Sequence, residues 1–293
     1  MKSLLLVINP CAGQRKGQRY LSDIIAIFNK SGYRTEVHVT AAQGDAIRVV
    51  QSRAADHDLV VCAGGDGTLN ETITGVLCSG ADVPIGYIPC GSTNDFASSL
   101  KLPTNVLQAA RRIMDGTPEK YDVGRFEKRY FSYVASFGAF TRSSYSTPQN
   151  VKNALGHYAY VLEGIQEISQ IRKEHIRLEA GGRIIEDDFI FGAISNSTSV
   201  GGILTLNPSQ VDMGDGEFEI MLVRMPRNLT ELSDCIQAVK NQKYNCAMIT
   251  FFSAKEIRIH ADPGMFWTLD GEKEQGHSEI TVSNLHHAIT LIK

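Results

Sequence analysis

Apolar and polar positions in the first part of the chain switch repeatedly between two periods. Residues 3–8 form an unbroken apolar run, the length of a strand buried on both faces. Beyond Asn9, Pro10 and Gly13, the positions Leu21, Ile24, Ile25 and Phe28 recur on one helical face. Residues 33–40 alternate through Thr35, Val37 and Val39 and predict a second strand. A helical stretch around Ile47 and Val50, a strand over 59–63, a helix over 69–77, a strand over 85–88 and a helix near 106–114 follow. Strand alternating with helix predicts a doubly wound parallel α/β sheet. Ligands of such sheets sit beyond the carboxyl ends of the strands, where the turns after Ile8, Ala63 and Ile88 all fall.

The rhythm changes after about Val123. Residues 130–137, 173–178, 189–195, 218–223, 254–260, 266–269 and 279–282 read as strands, interrupted by helical stretches at 155–171 and 229–241. Many strands with few helices predict a β-sandwich-like domain. The expected division is an α/β domain over 1–123 and the β-sandwich-like domain over 124–283. A terminal strand at 288–292 is free to return to the first domain, taking about 284–293 with it.

The chain has 293 residues, enough for two domains, and its formal net charge of -3 offers no basic field for nucleic acid. Its six cysteines, Cys11, Cys62, Cys78, Cys90, Cys235 and Cys246, show no zinc spacing and read as reduced thiols of a cytoplasmic protein. The opening apolar run meets Asn9-Pro10 and reads as a strand rather than a leader. No apolar run approaches the roughly 20 residues of a membrane span.

Gly64-Gly65-Asp66-Gly67-Thr68-Leu69-Asn70 stands between a buried strand and a helix. Its glycines allow close backbone approach to a phosphate, and a helix N-terminus is an anion site. Thr68 and Glu71 have the spacing of a capping box, which predicts a helix starting at Thr68. Asp66 among phosphate donors makes sense beside a magnesium ion. Neither G-x-x-x-x-G-K-[ST] nor G-x-G-x-x-G occurs, which argues against a P-loop ATPase and a dinucleotide dehydrogenase.

Gly64 to Asn70 resembles the glycine-rich nucleotide loop of the diacylglycerol kinase catalytic-domain family, a relative of sphingosine, ceramide and NAD kinases. Asn9-Pro10-Cys11-Ala12-Gly13 is similar to the family's opening N-P-x-x-G, and residues 89–97, PCGSTNDFA, to its P-x-G-T-x-N-D-F-A segment. The likeness continues through Gly201-Gly202, Asn207-Pro208, Asp212-Met213-Gly214-Asp215-Gly216 and Asp270-Gly271-Glu272. It implies an α/β nucleotide-binding domain followed by a β-sandwich-like domain. ATP and Mg2+ are the implied cofactors, and a lipid alcohol, diacylglycerol first, is the implied acceptor. Asn9, Pro10, Cys11, Ala12, Gly13, Thr40, Gly64, Gly65, Asp66, Gly67, Thr68, Leu69, Asn70 and Ser92 would line the nucleotide site. Asp212, Asp215 and Glu217, the last through its carbonyl, would hold a structural magnesium, and Glu272 would be the general base. A carboxylate within reach of a hydroxyl is chemically suited to take its proton as the γ-phosphoryl group arrives.

Two positions depart from the family pattern. Ser92 replaces the usual Thr and keeps a hydroxyl, whereas Ser98 stands where Arg is usual and removes a positive charge. Arg15 and Lys16 are candidates to replace that charge, and Cys11 and Cys90 read as small fillers. A sphingoid base, a glycolipid or undecaprenol-like alcohol and a small polar alcohol remain open as acceptors, their pocket expected between 140 and 160. A catalytically idle nucleotide-binding relative is the reading from another class, disfavoured by the presence of both Asp66 and Glu272. Without a polybasic cluster, membrane contact is expected to be transient, at the inner face. A homodimer is the commonest oligomer, and one sequence does not decide for it.

Overall fold

The computed structural model describes residues 1–138, 172–200 and 204–293. The expected helix at 155–171, the acceptor pocket between 140 and 160 and Gly201-Gly202 lie outside them. Two compact units are present, one of Met1–Val123, Met213–Gly216 and Leu285–Lys293, the other of Gly124–Asp212 and Glu217–Asn284. Met213–Gly216, in a stretch expected for the second domain, therefore belongs to the first unit.

The first unit is built on the parallel strands β1 (Lys2–Ile8), β2 (Tyr33–Val39), β3 (Leu59–Gly64) and β4 (Ile85–Pro89), in the order β4-β3-β1-β2. The end of the last strand, Glu279–Ile292, joins β4 in parallel at Leu291 and Ile85. β1 and β3 are buried along both faces, which is why their sequences show no alternation. Leu4, Leu6 and Ile8 join Ile24 and Phe28 of the helix Leu21–Lys30 and Val106, Ala109, Ala110 and Ile113 of the helix Val106–Asp115 in one core. The helices Asp45–Arg53 and Asp66–Ser79 pack against each other. β2 is half-buried, Val39 is exposed, and Thr40 lies just beyond the strand.

In the second unit the strand Glu174–Ala180 alternates buried and exposed positions and forms a hairpin with Arg183–Ser195. The later half of Arg183–Ser195 pairs with Val134–Gly138 on one side and Phe218–Arg224 on the other. Its core centres on Trp267, whose ring lies 5.1 Å from that of Phe126 and 5.0 Å from that of Phe137. The helix Leu229–Lys240 starts at Asn228, whose side chain accepts the N–H of Glu231.

Several expected elements differ. The stretch 130–137 is two strands, Arg129–Phe131 and Val134–Gly138. The stretch at 254–260 is preceded by an unexpected strand, Ile249–Ala254, which pairs with Phe218–Arg224, while Glu256–His260 pairs elsewhere. Pro118–Phe126 is a strand not expected at all. Residues 279–282 and 288–292 are parts of one strand, Glu279–Ile292. Among the described residues no helix is long and apolar enough to cross a membrane.

Candidate active site

In the first unit the parallel register sets the ends of β1, β3 and β4 side by side, Ile8 against Ala63 and Gly64 against Pro89. Backbone bonds stitch the loops that follow: Asn9 N–H donates to Ala63 O at 3.0 Å and Cys90 N–H to Gly64 O at 2.7 Å. Side chains complete the arrangement. Asn9 Nδ2 donates to Thr68 Oγ1 at 3.0 Å, and Asn9 Oδ1 accepts the Cys11 N–H at 2.9 Å. Gly13, at φ 38°, passes so close to Cys90 that a Cβ there would overlap the Cys90 carbonyl oxygen. Gly65 and Gly91 meet in the same way, a Cβ on Gly91 falling 2.7 Å from Gly65 Cα. These glycines are therefore required by the mutual packing of the three loops, before any phosphate is considered.

The helix begins at Asp66, with Gly65 at its N-cap, and not at Thr68. The capping box is absent because both partners are engaged elsewhere. Thr68 is the acceptor for Asn9, while the Glu71 carboxylate takes the N–H groups of Gly44 at 2.7 Å and Ala46 at 3.2 Å. Glu71 thus caps the neighbouring helix Asp45–Arg53. Asp66 also serves the architecture. Its Oδ2 accepts the Asp95 N–H at 3.1 Å and its Oδ1 the Phe96 N–H at 3.2 Å, at the start of the helix Asp95–Ser99. Asn94, at φ 54°, closes the third loop by accepting the Gly91 N–H and donating to the Gly91 carbonyl.

Other candidates divide by exposure. Ser92, Cys11, Arg15 and Lys16 are exposed; Pro10, Ala12, Gly67 and Asn70 are half-buried. Leu69 is fully buried, so its side chain belongs to the core. Thr40 donates its N–H to Ile8 O at 2.9 Å, and its hydroxyl lies 3.3 Å from the same oxygen. Cys90 is buried and burial pushes its thiol up to about 11, in keeping with a filler that stays protonated.

Asp212, Asp215 and Glu217 are exposed. Asp212 and Glu217 fall in the second unit and Asp215 in the first. The Glu217 carbonyl accepts from Asn284 Nδ2 at 3.0 Å. Among the described residues, side-chain ligand atoms of Asp122, His286 and His287 also gather within 4.8 Å of one another. Asp122, buried, accepts the N–H groups of Gly216 at 2.6 Å and His287 at 2.7 Å and the His286 Nδ1 at 3.1 Å. It ties the turn Met213–Gly216 to the last strand within the first unit.

In the second unit, Asp270 and Gly271, at φ 49° and 85°, make the tight turn between the paired strands Phe266–Leu269 and Glu272–Gln275. Asp270 is buried and accepts four donors: Ser132 N–H, Ser132 Oγ, Tyr133 N–H and Val134 N–H, at 2.5 to 3.0 Å. Burial pushes its carboxyl up from the ordinary range, against the pull of those donors. Glu272 is half-buried, and its Oε2 accepts from Arg129 Nη2 at 3.0 Å.

Residues 3–126 match the diacylglycerol kinase catalytic domain, and residues 135–293 match the YegS C-terminal NAD kinase beta sandwich-like domain. A protein of Staphylococcus epidermidis named diacylglycerol kinase is 31% identical over 92% of this chain and 86% of its own. The chain belongs to the diacylglycerol kinase family. A diacylglycerol kinase of Bacillus subtilis is 29% identical over 93% of this chain and 90% of its own. A solved structure from Bacillus anthracis str. Sterne, 25% identical, superposes with a TM-score of 0.81 over 99% of this chain and 95% of that one. Like its family, the chain is a kinase whose acceptor is an alcohol.

Within this family member, Ser98 donates its hydroxyl to its own helix, to Asn94 O at 3.1 Å. Three residues carry structure that the motifs did not reveal: Asp122, Arg129 and the inward-facing Asp270. Asp122 had a faint signal, as a lone acid between Tyr121 and Val123. Arg129 had none, because its partners are 143 and 145 positions away.

Proposed function

We infer that this kinase transfers the γ-phosphoryl group of ATP to a lipid hydroxyl, with diacylglycerol as acceptor and phosphatidic acid as product. The carrying observation is membership of the diacylglycerol kinase family along both units, with a relative so named at 31% identity. The loops at Asn9–Gly13 and Gly64–Asn70, with Thr40 and Ser92, bind the nucleotide phosphates in this reading. Backbone N–H groups of closely packed loops and the start of the helix Asp66–Ser79 supply partial positive charge there. Glu272 takes the proton of the acceptor hydroxyl.

A magnesium ion, when bound, neutralises the charge that develops on the transferring phosphoryl group. Asp66 fits such an ion by its chemistry, since a carboxylate oxygen accommodates a cation beside an N–H donor. The family resemblance implies a second, structural magnesium along the stretch 212–217, and the carboxylate and carbonyl oxygens there are the ligand type such an ion takes. Contact with the membrane is transient in this account, and among the described residues no helix is long and apolar enough to cross one.

Incubation with γ-labelled ATP, magnesium and a total-lipid extract in detergent, followed by product separation, tests the reading. Labelled phosphatidic acid is expected. Another labelled lipid would replace diacylglycerol and keep the chemistry. Measured ATP binding with no labelled lipid would overturn the lipid acceptor.

A further inference from the structure

Glu272 and Glu274 are two residues apart on one strand, so their side chains leave the same face of it. Arg129, which opens the strand Arg129–Phe131, reaches both. Its Nη1 lies 2.6 Å from Glu274 Oε2 and its Nη2 lies 3.0 Å from Glu272 Oε2. A guanidinium is a rigid, permanently charged fork, so it fixes direction as well as supplying charge. The two arms are not equivalent: the shorter goes to Glu274, 20% exposed, and the longer to Glu272, 40% exposed. Burial pulls the guanidinium pKa down, and the two carboxylates together push it further up, Glu274 first.

A half-exposed glutamate on a terminal strand has many rotamers, and a base must present one of them. Yet a base gripped by both arms of an arginine would be too well satisfied to take a proton. Here Glu274 takes one arm of the fork and Glu272 the other. Among the described residues, the other titratable groups around the turn are Asp270, directed inward to residues 132–134, and Tyr133, its hydroxyl 3.9 Å from where a side chain on Gly271 would begin. Lys273 leaves the opposite face of the strand and lies 3.6 Å over the Phe266 ring.

We propose that Arg129 is a positioning residue for Glu272, with Glu274 as the anchor that holds its fork in place. This rests on Glu272 being the general base.

Steady-state kinetics of the full chain with MgATP and diacylglycerol micelles test it in R129Q, R129K, E274Q and E272Q. R129Q is expected to lower kcat by about tenfold or more, within the range of a misplaced base, while the KM for ATP changes by less than about twofold. R129K recovers part of the lost kcat, because a positive charge without the fork restores attraction but not direction. E274Q also lowers kcat with the KM for ATP unchanged, since the anchor of the fork is gone. An unchanged kcat in R129Q, or a loss that R129K does not recover in any part, overturns the proposal. Should R129Q fail to fold, E274Q decides, and a kcat equal to wild type there overturns the proposal. E272Q separates the two levels: if it turns over normally, the base assignment itself fails; if it is inactive while R129Q behaves as wild type, only the role of Arg129 fails.

Discussion

The glycine-rich loop of the first unit and the Asp270-Gly271-Glu272 turn of the second place an aspartate beside a glycine at the end of a strand, yet they are held in different ways. Asp66 gives its carboxylate to two backbone N–H groups of another loop, and that loop is also held by the glycine contacts and by Asn94. Support there is shared among three segments. Asp270 gathers four donors onto one buried carboxylate, and the turn hangs on it. An acidic residue in a motif is not chemical by that fact alone: in each region the aspartate accepts backbone N–H groups and so builds the loop around it.

If the turn does hang on one residue, D270A should be the most damaging of the structural substitutions. It leaves buried N–H groups without an acceptor and should cost about 3 kcal/mol or more. Urea unfolding measures it, and a loss no larger than that of a surface change would erase the contrast between the two regions. In the first unit, G13A forces a Cβ into the Cys90 carbonyl at a left-handed φ and should cost about 1–3 kcal/mol. ATP binding should weaken with it, and a variant that binds ATP as wild type would show that the loops are not mutually locked.

Much of the first unit was legible in the sequence because both the strand runs and the loop motifs are local. What failed there was non-local. Thr68 and Glu71 have the letters of a capping box, but their partners, Asn9, Gly44 and Ala46, come from other elements. The second unit was legible as strands, and its boundaries were blurred where pairing changes without a turn signal. Lys255 alone separates Ile249–Ala254 from Glu256–His260, although the two strands have different neighbours. Pro118–Phe126, most of which belongs to the first unit, opens with three exposed residues, Pro118, Glu119 and Lys120, which hide its buried end. In the candidate site, Glu272 was readable from its motif, and the direction of Asp270 and the grip of Arg129 were not, since no local pattern encodes a contact across the chain.

Smaller effects probe how widely support is shared in the first unit. E71A removes the cap of the helix Asp45–Arg53 and should cost about 1 kcal/mol, with faster amide exchange at Gly44 and Ala46. The smallest effect concerns Asp45, whose carboxyl is held well below the usual range by Arg48, the Ala41 N–H and His38. A depressed folded pKa gives stability above the unfolded value, lost as pH falls through the folded one. D45N should therefore be less stable than wild type at neutral pH, and the gap should begin to narrow below about pH 4 and close as pH falls through the depressed folded value. A gap that persists in acid would assign the effect to packing.

The most direct test of the division between building and acting is the turnover of E272Q, measured together with its melting temperature and its affinity for ATP. The account predicts a kcat lower by about 10²–10⁴ with stability and ATP binding unchanged, since only the proton acceptor is removed. Turnover close to wild type in a folded, ATP-binding E272Q would contradict it.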